Sequence, residues 1–332
     1  MKVVNFVVPE GIEDATRPSG GNTYDRRVRR GLVSRGWTVH THEVTDDAEL
    51  AAVLARLPDD ALVLLDGLVA SPAPHVVVPE AGRLRLVVLV HMPLADERER
   101  ASLSAATAVV TTSEWTRRAL LQLYALPADR IRVAEPGVDR ARLAPGTAGA
   151  GALLSVAAVI PGKGHDVLVD ALAQLRRGGW HCLCVGSLER DPRFAARIRR
   201  RAADGGLDVR FSGSQTSDQL GRSYRSADVL VLPSRGETYG MVVTEALARG
   251  LPVVAADVGG VPEALGRGGG VRPGLLVPPD DPPALADALR AWLDDERLRD
   301  RLRRAARTRR AALPAWSQTT SAVADALVGA AR

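Results

Sequence analysis

The sequence predicts an α/β protein built from two doubly wound, Rossmann-like domains. Short β-branched runs alternate with helical stretches along nearly the whole of the 332 residues, the pattern that builds a parallel sheet covered by helices on both faces. The alternation breaks once, at residues 144–152 (APGTAGAGA), a small, uncharged, Gly- and Ala-rich segment that reads as a linker. It then starts again, and the length suits two domains at ~100–200 residues each.

In the first half, residues 2–8 (KVVNFVV) predict a strand. A loop holding Pro9, Pro18, Gly20 and Gly21 follows, then a helix near 22–35 that ends at Gly36. Further strands are expected near 37–43, 61–65, 75–78, 84–90, 107–111 and 131–134, with helices near 46–56, 97–106 and 113–124. After the linker, strands fall near 153–159, 180–185, 207–211, 227–232, 252–256 and 275–277. Helices fall near 164–177, 192–203, 215–224, 240–249 and 282–294, then 295–312 and, after Pro314, 316–330. Doubly wound sheets bind ligands beyond the carboxyl ends of their strands. A cleft between the two domains is therefore the expected site.

Composition excludes several classes. Apolar runs such as Leu86–Val90 are far short of the ~20 residues that cross a bilayer. The N-terminal stretch MKVVNFVVPEG lacks the apolar run of a signal peptide, so a cytoplasmic location is expected. The net charge is +5, and all but Lys2 and Lys163 of the 44 basic residues are Arg, a bias that points to a GC-rich genome. The Arg clusters lie in helix-like stretches and few aromatics are available for base stacking, so no nucleic acid partner is expected. Cys182 and Cys184, at i and i+2, fit neither a zinc site nor a redox CxxC pair and read as small buried side chains. No metal site is expected. His40, His42, His75, His165 and His181 read as structural. A GxGxxG after the first strand is absent, and PGKG at 161–164 lacks the remainder of a phosphate-binding P-loop.

The most informative stretch is 234–256, SRGETYGMVVTEALARGLPVVAA. Glu237 falls in a Gly-rich turn, and Glu245 lies about one and a half turns into the next helix. A helix beginning near Gly240 points free N–H groups and a partial positive charge at whatever lies before it, which suits a diphosphate. Glu245 suits a ribose diol and Glu237 suits sugar hydroxyls. Lys163 is one of two lysines in a chain that otherwise uses Arg, and a compact ammonium approaches a phosphate oxygen well in a tight loop. His91 follows the apolar strand LRLVVLV, at its carboxyl end.

This stretch resembles the donor site of glycosyltransferase family 4, retaining enzymes of the GT-B fold, in which two Glu residues eight apart surround an aromatic–Gly pair, here Tyr239 and Gly240. The resemblance continues in order along the chain. It takes in Ser19, Gly20 and Gly21 after the first strand; Gly36 to Val39; Glu135 to Asp139; Val156 to Gly164 followed by HDVLVDAL; GGVPE from Gly259 to Glu263; and GLLVPPD from Gly274 to Asp280. It implies an acceptor-side domain at 1–145, a nucleotide-sugar donor domain at 153–313, and a last helix at 316–332 that packs back on the first. It further implies donor binding by Gly20, Gly21, Lys163, Glu237, Tyr239, Gly240, Met241 and Glu245. His91, Lys163 and Glu237 would serve the chemistry, with His91 beside the transferred sugar and acceptor. One departure stands out. Where the family shows Val-Gly-Arg, this chain has Val156, Ala157 and Ala158, so one phosphate-neutralising charge is missing, and Arg235, Arg17 or another cleft Arg is a candidate to replace it.

The implied reaction is metal-independent sugar transfer from a nucleotide-diphosphate sugar, a co-substrate, to a hydroxyl of a small, soluble acceptor. Two alternatives share the fold: a sugar-nucleotide epimerase, and a non-catalytic sugar-nucleotide-binding member. Glu10, Glu13 and Asp14 in the 9–21 loop suggest an amino-bearing acceptor. The Arg-rich helix from Asn22 leaves peripheral membrane contact open but not favoured, because its small apolar face (Val28, Leu32, Val33) is needed against the sheet.

Overall fold

The computed structural model describes residues 2–14, 19–147, 149–175 and 178–331. The chain divides into two units: Met1–Gly137 with Pro314–Arg332, and Val138–Leu313. The first contains β1 (Lys2–Pro9), α1 (Gly20–Ser34), β2 (Trp37–Val44), α2 (Asp47–Ala55), β3 (Leu62–Asp66), α3 (Gly67–Ala70), α4 (Pro74–Glu80), β4 (Arg85–Val90), α5 (Glu97–Ala105), β5 (Ala108–Thr111), α6 (Glu114–Tyr124) and β6 (Ile131–Val133). The second contains β7 (Ala152–Val156), α7 (His165–Leu172), β8 (His181–Val185), α8 (Pro192–Asp204), β9 (Val209–Phe211), α9 (Ser217–Ser226), β10 (Val229–Leu232), α10 (Met241–Leu247), β11 (Val253–Ala256), α11 (Val261–Leu265), β12 (Gly274–Val277), α12 (Pro282–Asp294) and α13 (Glu296–Arg310). The last helix, α14 (Trp316–Ala330), belongs to the first unit.

Each unit is a six-stranded sheet, ordered β2-β1-β3-β4-β5-β6 in the first and β12-β11-β10-β7-β8-β9 in the second. All the pairings between these strands are parallel. Alternate strand residues face opposite ways, so each sheet feeds two cores. In the first unit Val4, Phe6, Val8, Leu64, Val87 and Leu89 meet Val28 and Leu32 of α1 and Val323 and Leu327 of α14. Their neighbours Val7, Val63, Leu65 and Val88 meet Leu50, Leu54, Leu103 and Leu120 on the other face. In the second unit Leu153, Val229 and Val231 pack under Leu168, Leu172, Leu285 and Trp292. Cys182 and Cys184 share that face as buried free thiols. Leu154, Leu230 and Leu232 pack the opposite way, under Tyr224, Val243 and Leu247.

One expected strand is a helix. Residues 75–78 (HVVV) lie in α4, which begins at Pro74, a residue whose fixed φ and missing N–H suit the first helical position. Both neighbours of β3 in the sheet are taken, by β1 and β4, so the β-branched run cannot pair beside the strand it follows. It covers the sheet instead, with Val77 buried and Val78 exposed. Tertiary position overrides β propensity here. Among the described residues, no helix is long and apolar enough to cross a membrane.

The helix α14 lies tightly on α1. Thr319 donates to the Glu135 carbonyl at 2.7 Å, and Arg35 donates to the Ser317 carbonyl at 3.0 Å. A Cβ on Gly31 would stand 2.1 Å from Thr320 Oγ1 and 2.8 Å from its Cγ2. Gly31→Ala is therefore expected to destabilise the protein by ~1–3 kcal/mol, the range for overpacking, although Ala favours a helix over Gly. Chemical denaturation of Gly31→Ala, with and without Thr320→Ala, checks this. The second change should recover part of the loss, and a Gly31→Ala variant as stable as the parent would refute the contact.

Candidate active site

In the second unit the direction of winding reverses between β7 and β10, which pair directly. Such a switch point opens a crevice at the carboxyl ends of the strands. The loop after β7 carries Lys163, in a tight turn over Pro161–Lys163. The loop after β10 carries Glu237. The two loops touch through backbone: Arg235 N–H donates to the Gly162 carbonyl at 2.9 Å. At Gly164, φ is +66°, and a Cβ would sit 2.0 Å from the Pro233 carbonyl oxygen. Glycine alone fits there. Lys163 Nζ donates to Glu237 Oε1 at 2.7 Å, and Ser234 Oγ donates to the same oxygen at 2.8 Å. The stretch from Gly259 braces the far side of this loop, with Gly260 N–H donating to the Glu237 carbonyl at 2.9 Å.

Both members of the pair keep some exposure, 29% for Lys163 and 13% for Glu237. The pair is thus fixed in place yet open to an incoming anion. Gly240 caps α10 with φ +89°. Met241, at the first turn, is half-buried, whereas the Tyr239 side chain is 3% exposed and packs in the core with Leu232 and Val261. Glu245 accepts from the Tyr224 hydroxyl at 2.9 Å through Oε2. Burial raises its carboxyl above the usual range, while Tyr224 and Arg249 oppose the rise. Arg249 lies 4.4 Å over the Tyr224 ring and donates to the Glu245 carbonyl. Tyr224, which anchors Glu245, gave no signal in the sequence beyond an aromatic residue in a helix.

Arg235, a candidate for the charge missing at Ala158, is already engaged. It makes a two-pronged contact with Asp166 at 2.9 and 3.0 Å, meets Asp280 at 2.6 Å, and donates to the Pro161 carbonyl. Burial alone would raise the Asp166 carboxyl, but Arg235 holds it below its usual range. Arg235 thus pins the Lys163 loop to the loops after β10 and β12. Arg17, the other named candidate, lies outside the described residues.

The first unit switches direction between β1 and β3. The chain after β1 enters α1 at Gly20 and Gly21, β3 ends at Asp66, and His91 follows β4 directly. A Cβ on Gly21 would lie 3.5 Å from the His91 ring, so this glycine lies close against it. Behind the ring, Asp25 of α1 is fully buried. His91 Nε2 lies 2.9 Å from Asp25 Oδ1 and 3.8 Å from Asp66 Oδ2. Burial favours the neutral ring, but the charge and hydrogen bond of Asp25 and the charge of Asp66 outweigh it and push His91 up to about 9. Burial pushes the Asp66 carboxyl up to about 7, with His91 opposing and Asp25 adding to the rise. Sequence reasoning found His91 and missed both carboxylates. Of the loop acids, Glu13 is committed to Arg29 and Arg30 of α1.

A family model described as glycosyl transferases group 1 matches residues 148–309, and one described as glycosyltransferase family 4 matches residues 67–142. The chain belongs to glycosyltransferase family 4. The "D-inositol 3-phosphate glycosyltransferase" of Jonesia denitrificans is 36% identical over 236 residues, 64% of this chain and 55% of that protein. The protein of the same name from Nocardia farcinica is 37% identical over 226 residues, 59% of this chain and 46% of that protein. The chain thus spans about half the length of the curated relatives it matches. Among solved structures, HepE from Anabaena in complex with UDP-glucose aligns with a TM-score of 0.80 at 18% identity, over 99% of this chain and 100% of that one. Sucrose-phosphate synthase from Thermosynechococcus elongatus gives 0.77 at 24% identity, over 98% of each chain. The shared fold is GT-B.

His165, next to the Lys163 loop, is fully buried. Neither ring nitrogen has a hydrogen-bond partner among the described residues. Burial lowers its pKa to about 4, against an opposing pull from Asp166 and with Lys163 adding a little to the fall. The unfolded chain takes up this proton near pH 6.5 and the folded chain only near 4, so folding loses stability as pH falls between the two. His165→Leu should remove that loss. Its stability relative to the parent should rise through this window by up to about tenfold in the folding equilibrium per pH unit, read by denaturation at pH 7, 5.5 and 4.5. A constant difference across those three would contradict a buried neutral imidazole.

Proposed function

We propose that this chain is a retaining, hexosyltransferase-like glycosyltransferase that moves a sugar from a nucleotide-diphosphate sugar to a hydroxyl of a small, soluble acceptor. The observation that carries the reading is the meeting of Lys163 and Glu237 at 2.7 Å on two loops of one switch point. A cation for the diphosphate and a carboxylate for the sugar hydroxyls stand side by side, with the start of α10 beside them. In this reading the second unit holds the donor. Glu245, with Oε1 uncommitted among the described residues, takes the ribose, and Met241 lies along the donor. Gly240 leaves room for the backbone to approach, and Tyr239 acts by fixing the turn from within the core. The first unit offers the acceptor side, with His91 next to Gly20 and Gly21.

As the anomeric bond breaks, negative charge grows on the leaving diphosphate. Lys163 and the backbone N–H groups at the start of α10 meet that charge electrostatically. The acceptor oxygen attacks from the face the diphosphate leaves, its proton passes to the leaving phosphate, and configuration is retained. Where those groups suffice for the charge, the route asks for no metal. The relatives' name makes a phosphorylated inositol the first acceptor to try. Val28 and Leu32 are spent in the core of the first unit, which speaks against a membrane-bound α1. The unpaired thiols Cys182 and Cys184 support a reducing, cytoplasmic setting.

The test incubates the protein with UDP-, GDP- and ADP-sugars, with and without inositol phosphates, and follows nucleoside diphosphate and product mass. A transferase releases the diphosphate when acceptor is present, an epimerase changes the sugar, and a binder does neither. Lys163→Ala should lower kcat by ~10²–10³, the scale for one preorganised donor, with donor binding weakened less. Glu237→Gln should impair sugar recognition and leave affinity for the free nucleoside diphosphate nearly intact. Glu245→Gln should weaken that affinity, since a charge-assisted bond becomes neutral. Wild-type kcat in Lys163→Ala, or lost nucleoside-diphosphate binding in Glu237→Gln, would overturn these roles.

A further inference from the structure

The two carboxylates behind His91 take no part in the chemistry above, yet they are the most deeply buried acids of the first unit's switch point. Asp25 has no exposed surface and Asp66 only 2%. Burying ionisable groups is unfavourable unless something holds them charged or shares their proton. His91 Nε2 makes both contacts, at 2.9 Å to Asp25 and 3.8 Å to Asp66. Asp66 is held in turn, its Oδ1 accepting from the Leu68 N–H at 2.7 Å. Nδ1 of His91 has no partner among the described residues, and the ring retains 13% exposure.

We propose that Asp25 and Asp66 are positioning residues that act through His91: they keep its ring doubly protonated and turned so that Nδ1–H is the hydrogen-bond donor offered to a substrate oxygen. The other groups facing the ring leave this assignment intact. Tyr24 of α1 meets it edge-on at 5.3 Å between centroids. Its hydroxyl donates to the Ala134 carbonyl at 2.8 Å, and burial raises it far above the titration range of the others. Gly21 brings backbone only. The arrangement fixes which nitrogen faces the carboxylates, and a second-layer partner of this kind sets both tautomer and ring orientation. It assigns His91 as a donor at neutral pH rather than a base. The proton carried on Nδ1 is offered to a hydroxyl oxygen of the sugar or acceptor and orients it, and the positive ring is balanced from behind.

The proposal rests on the reading of the first unit as the acceptor side, so the experiment has one arm that needs no activity. Imidazole nitrogen-15 spectra of the full chain should show both His91 nitrogens protonated at pH 7, titrating near 9. Asp25→Asn removes the charge while keeping the shape, and should lower that titration by about one to three units, the effect of one adjacent opposite charge. Asp66→Asn should move it the same way by less. In the activity arm, the alkaline limb of the pH–kcat/KM profile should move with the titration. Asp25→Asn should then lose far more activity at pH 8.5 than at pH 6, a split that a loosened fold would not give. His91→Gln, which cannot titrate, should flatten that limb. A His91 titration unchanged in Asp25→Asn would overturn the proposal, as would a bare Nδ1 at pH 7 or nitrogen shifts that respond to zinc or chelator as a metal ligand's do. If the spectra behave as expected while no sugar transfer is found, the functional reading fails and the held imidazolium stands.

Discussion

The parallel pairing of β7 with β10 decides where the polar chemistry of the second unit ends up. These strands are distant in sequence and adjacent in the sheet, so the loops that leave them are forced together. Close backbone approach then becomes the controlling constraint. The Pro233 carbonyl occupies the space a side chain at residue 164 would need, and the Glu237 carbonyl does the same at residue 259, where a Cβ would lie 1.7 Å away. With φ positive at both glycines, the two loops and their brace nest as one rigid piece. Lys163, Ser234 and Glu237 inherit their geometry from that nesting, and Arg235 locks it through Asp166 and Asp280.

Much of the fold was legible because strand and helix periodicities are local properties. The winding and the alternation of β with α follow from runs of Val, Leu and Ala between turn residues. The run at 75–78 shows where local reading stops. Its composition says strand, yet Pro74 starts a helix there and β3 already has β1 and β4 beside it. The short helix α11, directly after the glycine pair 259–260, is set by its role as a brace more than by any propensity of Val-Pro-Glu-Ala-Leu.

The candidate site was legible where a residue broke the chain's habits. A lysine among arginines pointed to residue 163, and two glutamates spaced about a helix start pointed to 237 and 245. Asp25 had no such contrast. It sits in Tyr-Asp-Arg-Arg, which on its own is a solvated face of an Arg-rich helix, and only the packing of α1 against β4 shows it buried behind a histidine. Asp66 likewise ends an apolar strand and caps the turn that follows, an ordinary role that hides its second contact. The loss of Arg at 158 was visible in the sequence. That Arg235 is already committed to two aspartates was not, because ion pairing between loops depends on the sheet order.

The two units differ in how they are cut from the chain. The second is one continuous stretch, Val138–Leu313, whereas the first is completed by a helix that begins only after Pro314. As the chain leaves the ribosome, the second unit can therefore close its cores while the first still lacks α14. Until that helix arrives, Val4, Phe6, Leu64 and Leu89 on one face of the first sheet lack the cover of Val323 and Leu327, an apolar surface open to other chains. Domains generally fold in the order they emerge. Here the half made first is finished last.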